Sequence, residues 1–423
     1  MMSMNLLNKN LVRQVLYCAA LALFTQSTVY AIDLTGAFER AKNGDPKYQA
    51  AKAEKDANVA NSVASRSAYL PGLTWGQSQP STINYSQKTT VINQPIFDAS
   101  RGASVAQGGA QNTFANANFA NQSIDLAQRT VSAVQQIVVA TEAIKANESS
   151  ISAYDFQYKG AQRKLELGQG TVTDLLDVQV RFEQAKANHL TLQANLKAAQ
   201  DQFFAITGEY PTKSDFILPH QHETAKLEPI DSVLSKVDAE NTAIIAAVAN
   251  EQIAKLDILK ASAAVLPTVS YTWQNISSVG IPTANNNGIT VTIPLNAAAY
   301  INTYASTAKA RQSSENRLAT QVQTKTQAQN LYAQVEAGFE SLKIRNQAVN
   351  TARQSVVANQ KSYEAGVKST TDVLISIQSL AQTRNDYAQA ATQIALNYLS
   401  LLLVAAEAPD QAVAKTQAFL FRK

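Results

Sequence analysis

The feature that most constrains this 423-residue chain is that it is written twice, at an offset of about 198 residues. Leu70-Pro71 answers Leu266-Pro267, and Gln94-Pro95-Ile96 answers Ile293-Pro294-Leu295. Further on, Gly168 with Thr173-Asp174-Leu175-Leu176 answers Gly366 with Thr371-Asp372-Val373-Leu374. The match is one of pattern more than identity, but landmarks in one order at a nearly constant offset mark an internal duplication.

Within each copy the periodicity changes from helical to strand-like and back. From Leu175, apolar or large residues recur at steps of three and four: Val178, Phe182, Ala185, His189, Leu192, Leu196, Ala199, Phe203 and Ile206. That spacing is a coiled-coil seam. The second copy runs along Val373, Leu380, Tyr387, Ala390, Ile394, Leu401 and Val404, and polar Ser376, Thr383 and Asn397 interrupt it, so the weaker seam is expected there. Between the prolines the period is two. Val269, Tyr271 and Trp273 alternate with hydroxylated residues, as do Ile289, Val291, Ile293 and Leu295. In the first copy, Leu73 and Trp75, then Ile83, Tyr85 and the stretch to Phe97, suggest two strands around a polar turn. Each strand can reach the roughly 9 to 11 residues that cross a bilayer when tilted.

Pro71, Pro95, Pro267 and Pro294 are placed at helix–strand junctions, because proline removes an N–H donor and ends a helix. Asp98 to about Arg163 and Asn296 to Glu364 contain no proline. Each would be a helix about 100 Å long at 1.5 Å per residue. The expected class is mainly α with a small β part, built on long antiparallel coiled-coil helices.

The first residues read as a secretory signal: Lys9 and Arg13, an apolar run from Val15 to Phe24, and a small-residue cleavage site at Val29-Tyr30-Ala31. The expected division is 1–31 signal, 32–210 first repeat with a hairpin at about 70–97, and 211–229 linker. A second repeat follows at 230–406 with a hairpin at about 267–295, then a tail at 407–423. Leu399 to Ala406, the strongest later apolar run, is far short of the roughly 20 residues of a spanning helix. The only cysteine, Cys18, falls within the signal, so the remainder has no disulfide or thiolate site; lipidation of Cys18 would require a smaller neighbour than Tyr17. A net charge of +4 with no basic run argues against a nucleic-acid partner.

At this point the sequence resembles the TolC family of outer-membrane channel proteins over essentially the whole mature chain. The residues that carry the likeness are Asp45-Pro46, Tyr69-Leu70-Pro71 and Val265-Leu266-Pro267, Gln94 through Asp98, Gly168 through Asp174, Ile206-Thr207-Gly208, and Gly366 through Leu374. The resemblance implies a homotrimer in which each chain gives four strands to a shared 12-stranded transmembrane barrel, continuous with a helical barrel in the periplasm. It implies as partners a periplasmic adaptor (membrane fusion) protein, an inner-membrane transporter of the ABC, RND or MFS type, and outer-membrane lipid, with no cofactor. Physics supports the oligomer independently: four strands cannot close a barrel, and an open sheet edge in lipid leaves backbone groups unpaired.

Gly168 and Gly366 would mark the periplasmic turns. The resemblance places an acidic ring near them, matched here by Asp372, with Asp174 and Asp177 as an i, i+3 pair in the first repeat. A ring of carboxylates favours cations. The same spacing, Thr171 to Asp174 and Ser369 to Asp372, is also that of a helix cap, and Asp177 also suits a solvated helix face. Tyr363 and Lys368 stand where the family has a tyrosine and an arginine that hold the entrance closed; Lys replaces Arg here, and Gly160 stands where an acidic partner can occur. Trp75 and Trp273, the only tryptophans, fall in the strands, as expected for rings at a membrane interface and also compatible with packed aromatics.

His220 and His222 could face one metal, but without cysteine or a carboxylate pattern a solvated linker is the simpler account. His189 occupies a seam position. No phosphate loop, nucleophile motif or histidine–carboxylate cluster is present. Three functions remain in competition: a passive exit duct for drugs or secreted proteins, a periplasmic coiled-coil scaffold or adaptor, and a hydrolase. The duplicated proline-framed strands favour the first.

Overall fold

The computed structural model describes residues 33–79, 86–212, 216, 218, 226–278, 280–294 and 298–421. The signal-like segment with Cys18, the strand positions Ile83 and Tyr85, Leu295, and His220 with His222 lie outside the described residues. Two short helices, α1 (Leu34–Gly44) and α2 (Pro46–Arg66), lead through a 3-10 turn at Ser67–Tyr69 into strands β1 (Gly72–Ser78) and β2 (Gln87–Phe97). A long helix α3 (Ala99–Glu166) descends and α4 (Val172–Thr207) returns. The second copy repeats the order: α5 (Ile230–Glu240), α6 (Thr242–Ala263), β3 (Thr268–Ser278), β4 (Ile281–Thr292), α7 (Ala298–Glu364) and α8 (Thr370–Val404). A final helix, α9 (Pro409–Leu420), occupies what reads in sequence as a tail, and it packs on α8 and α1.

Local chemistry sets these boundaries. Asp98 caps α3 by accepting from the backbone N–H groups of Ser100 and Arg101, and Asn241 caps α6 in the same way. With 68 and 67 residues, α3 and α7 each run about 100 Å. Both end in glycines with positive φ, Gly168 at +69° and Gly366 at +73°, where a side chain would be strained. The closing hydrogen bonds are the same in both copies. Gln169 N–H donates to the Lys164 carbonyl at 2.8 Å, and Val367 N–H to that of Ser362 at 2.9 Å.

The seam of α4 is borne out: Val178, Ala185, Ala199 and Phe203 are buried against α3. The second seam is the stronger one, contrary to the expectation from its polar interruptions. Val373, Leu374, Ile377, Tyr387, Ile394, Tyr398, Leu399, Leu401 and Leu403 are all buried in α8. The reason is that α8 packs against α7, α3 and α9, whereas α4 leans chiefly on α3. Ser376 is buried in that seam but donates to the Val373 carbonyl at 2.8 Å, so its hydroxyl is satisfied.

The main core sits at mid-length, where Leu34 and Phe38 of α1 meet Leu126, Val134 and Val138 of α3, Phe203 of α4, Leu399 of α8 and Val413 of α9. A smaller cluster of Tyr154, Val178, Ala185, Val373, Leu374 and Ile377 joins the two hairpins near their turns. Asp45, only 2% exposed, caps α2 by accepting from Tyr48 N–H at 3.0 Å and pairs with Arg129 of α3, which also holds Asp125. Replacing Asp45 with alanine removes both a cap and the partner of a half-buried cation. The expected loss is about 2 kcal/mol, read as a lowered midpoint in chemical denaturation; an unchanged midpoint would show the contact to be dispensable.

Candidate functional site

The four strands form one antiparallel sheet in the order β1-β2-β3-β4, so the two hairpins are joined through β2 and β3. Its register sorts the side chains onto two faces. Leu73 lies opposite Ile92, Ile92 opposite Trp273, Tyr271 opposite Ile289, and Val269 opposite Val291. The other face carries Asn93, Thr272 and Gln274, and Asn93 Nδ2 donates to Thr272 Oγ1 at 3.2 Å. One side of the sheet is apolar and exposed, the other hydroxyl- and amide-rich. A soluble sheet buries its apolar face on a core; this one turns Leu73, Ile289 and Val291 outward. Among the described residues, strands β1 and β4 are each paired on one side only.

Trp75 is exposed on the apolar face of β1, opposite Thr90, and Trp273 is half-buried on β3 between Ile92 and Asn287. Pro71 and Pro267 directly precede β1 and β3, and Pro294 follows β4 just before α7. Pro95 departs from the expectation: it lies inside β2, opposite Ser270, where the register slips between Pro95 and Phe97. A strand tolerates proline at such an irregularity because no ladder bond is demanded of its nitrogen. The α3 boundary is set instead by Asp98.

At the opposite end, Asp372 forms a full capping box: its carboxylate accepts from Ser369 N–H at 3.0 Å while Ser369 Oγ accepts from Asp372 N–H at 3.2 Å. The Ser369 hydroxyl and backbone hold the Asp372 carboxyl below its ordinary value. Asp174 repeats half of this: its N–H donates to Thr171 Oγ1 at 3.1 Å, and that hydroxyl donates to the Asp174 carboxylate at 2.7 Å. Asp177 is exposed one turn further along α4. Lys368 does not reach across to the first copy; its Nζ lies 3.7 Å from Asp372 of its own turn. A Cβ on Gly160 would meet open space. The cross-hairpin contact is made by a residue that sequence reading missed: Lys164 Nζ sits 3.9 Å above the Tyr363 ring. Beside it, Gln157 Nε2 donates to Gln360 Oε1 at 2.6 Å. Nothing in the sequence marks Lys164, since the pairing depends on how the turn ends of the two hairpins come together.

A trough of about 1130 Å³ lies over α3 between α4 and α8. Amides such as Gln136, Asn195, Gln202 and Gln393 line it together with alanines, and Arg345 and Asp386 are its charged members. Its lining contains neither histidine nor cysteine. Among the described residues no three of His, Cys, Asp or Glu converge on a metal position, and no helix is long and apolar enough to cross a membrane. His189 contributes a half-buried seam position, its Nε2 2.9 Å from Gln193.

The family described as outer membrane efflux protein matches residues 37–209 and 233–406, one segment in each copy of the duplication. The alkaline protease secretion protein AprF of Pseudomonas aeruginosa is 25% identical over 404 residues, covering 88% of this chain and 84% of that protein. The outer membrane protein TolC of Escherichia coli is 21% identical, covering 88% of this chain and 81% of its own length. Among solved structures, the outer-membrane channel OprN superposes with a TM-score of 0.76 at 16% identity, covering 89% of this chain and 90% of that chain. That family is made of channel proteins and not of enzymes. An exposed apolar sheet face mounted on two duplicated helical hairpins, matched along both copies, makes this chain a member of the outer membrane efflux protein family, resident in the outer membrane with a long periplasmic portion.

Proposed function

We propose that three copies of the chain form a passive exit duct of a tripartite export system, without enzymatic activity. One observation carries this reading: a four-stranded sheet with an apolar outer face and two unpaired edges stands on helices about 100 Å long. In lipid those edges must be paired by other chains, and three copies give the even, twelve-stranded closure. The helices then extend the wall into the periplasm, towards an adaptor and an inner-membrane transporter of the ABC, RND or MFS type. Trp75 and Trp273 stand mid-strand on the apolar face, at about the height of Ile92, and so suit contact with lipid.

The turns at Gly168 and Gly366 form the periplasmic mouth, where Asp174, Asp177 and Asp372 favour cations. Tyr363 is part of the latch that keeps the mouth narrow, with Lys164 in place of Lys368 as its cation. The cargo, small drugs or type I secreted proteins, is selected by the transporter and adaptor, since the amide-lined trough and the tips present no shaped site. Single-channel recording of detergent-extracted protein in a planar bilayer tests the reading. Discrete cation-selective openings, blocked from one side by a trivalent cation, are expected. Lys164→Met should lengthen the open times and Lys164→Arg should not. Absence of current even from the Lys164→Met protein would overturn the duct, and unaltered gating in a conducting Lys164→Met protein would overturn the latch alone.

A further inference from the structure

A cleft of about 410 Å³ opens beside Tyr332, midway along α7, and is walled by α5, the end of α8 and the start of α9. It lies about 50 Å from the turn at Gly366 and shares no residue with the sheet, the mouth or the amide-lined trough. Val233, Leu401 and Leu402 give it an apolar floor, and Tyr332 and Tyr398 add two aromatic side chains. Size and lining are those of a small-ligand site, mostly apolar with a few polar groups.

Three features set this cleft apart from a gap left by helix packing. Tyr398 is only 6% exposed, yet its hydroxyl has no hydrogen-bond partner among the described residues. A buried tyrosine hydroxyl ordinarily finds one. Burial and the Glu407 carboxylate raise its pKa, so it stays a donor. The rim carries charges of both signs, and four of them are committed: Lys236 donates to both Glu228 oxygens at 2.8 and 2.9 Å, and Lys415 pairs with Glu407 at 2.5 Å. Lys226 and Glu240, both exposed, have no ion pair among the described residues. One ammonium and one carboxylate are therefore left to face the cleft. The third feature is Ala406, which lines the wall with φ at +63°. The other helix ends with positive φ use Gly168, Gly208 and Gly366, so an alanine here keeps its methyl against backbone strain.

A ligand that meets a free ammonium, a free carboxylate and a lone hydroxyl donor over an apolar floor needs the opposite charge at each end, an acceptor between them and an apolar side. A short apolar peptide with free termini has that composition. We infer that the cleft binds such a peptide, its carboxylate on Lys226, its ammonium on Glu240, a backbone carbonyl on the Tyr398 hydroxyl and an apolar side chain over Val233 and Leu402. The site is built within one chain and does not depend on the duct reading. Isothermal titration of the detergent-extracted full chain with the dipeptide alanyl-leucine, its N-acetyl derivative and its C-terminal amide tests it. One saturable site per chain with a Kd below about 1 mM is expected, and about fivefold weaker binding of each capped form. Lys226→Gln should erase the difference between the dipeptide and its amide while keeping the penalty for acetylation, and Glu240→Gln should do the reverse. Both side chains are exposed, so neither change disturbs the fold. Tyr398→Phe, which keeps the ring, should weaken all three ligands alike. Absence of saturable binding to the unaltered protein overturns the site, as does binding indifferent to both caps. Cap preferences that Lys226→Gln and Glu240→Gln leave unchanged overturn it equally.

Discussion

Replacing Ile92 with lysine should empty the outer membrane of assembled protein. Ile92 lies mid-strand in β2, between Leu73 of β1 and Trp273 of β3, on the apolar face of the sheet. A lysine on the lipid side of a barrel costs about 2–4 kcal/mol near the bilayer midplane. At 1.4 kcal/mol per tenfold, that is on the order of a hundredfold or more for every chain that inserts. The neighbouring Asn93 points to the other face, among Ser270 and Thr272, where a lysine remains in water. Asn93→Lys should therefore leave assembly intact. Semi-native electrophoresis of outer-membrane fractions reads both variants, and the faces are wrongly assigned if Ile92→Lys assembles as well as Asn93→Lys.

Neutralising the mouth should have the second large effect. With Asp174→Asn, Asp177→Asn and Asp372→Asn together, the preference for cations over anions is expected to fall about tenfold, read as a shift of reversal potential across a salt gradient. Asparagine retains an acceptor oxygen for the Ser369 N–H, so the helix start survives the change. The pH dependence has a definite sign. The Ser369 hydroxyl and backbone hold the Asp372 carboxyl below 3.8, so its charge and its share of the cap persist above that value. Both are lost as pH falls through the lower, folded-state value. Selectivity contributed by Asp372 should accordingly survive acidification to pH 3.8; its loss nearer neutrality would mean that another group carries it.

Much of this architecture is legible in the residues because its causes are local or periodic. Proline-free runs define α3 and α7, period-two alternation defines β3 and β4, and Gly168 and Gly366 are where the backbone must turn with positive φ. The misreadings share a cause as well. The α8 seam is underrated because burial depends on how many neighbours a helix has, and a periodicity cannot count them. Pro95 falls within a strand because a register slip between Pro95 and Phe97 accommodates it, and that slip is a property of the pairing with β3. Lys368 is held by Asp372 of its own turn, while the cross-hairpin contact falls to Lys164, some 200 residues distant from its partner in sequence.

The two half-paired strands also have a genetic consequence. In the three-membered duct proposed above, a closed ring needs every edge, so a chain that has lost one of them does more than fail by itself: it can enter a ring through its sound edge and leave a gap on the other side. Where sound and edge-defective chains are made in equal amounts and mix at random, roughly one three-membered ring in eight contains no defective chain. Lesions in β1 or β4 should therefore behave as dominant alleles, whereas lesions that prevent the chain from folding at all should be recessive.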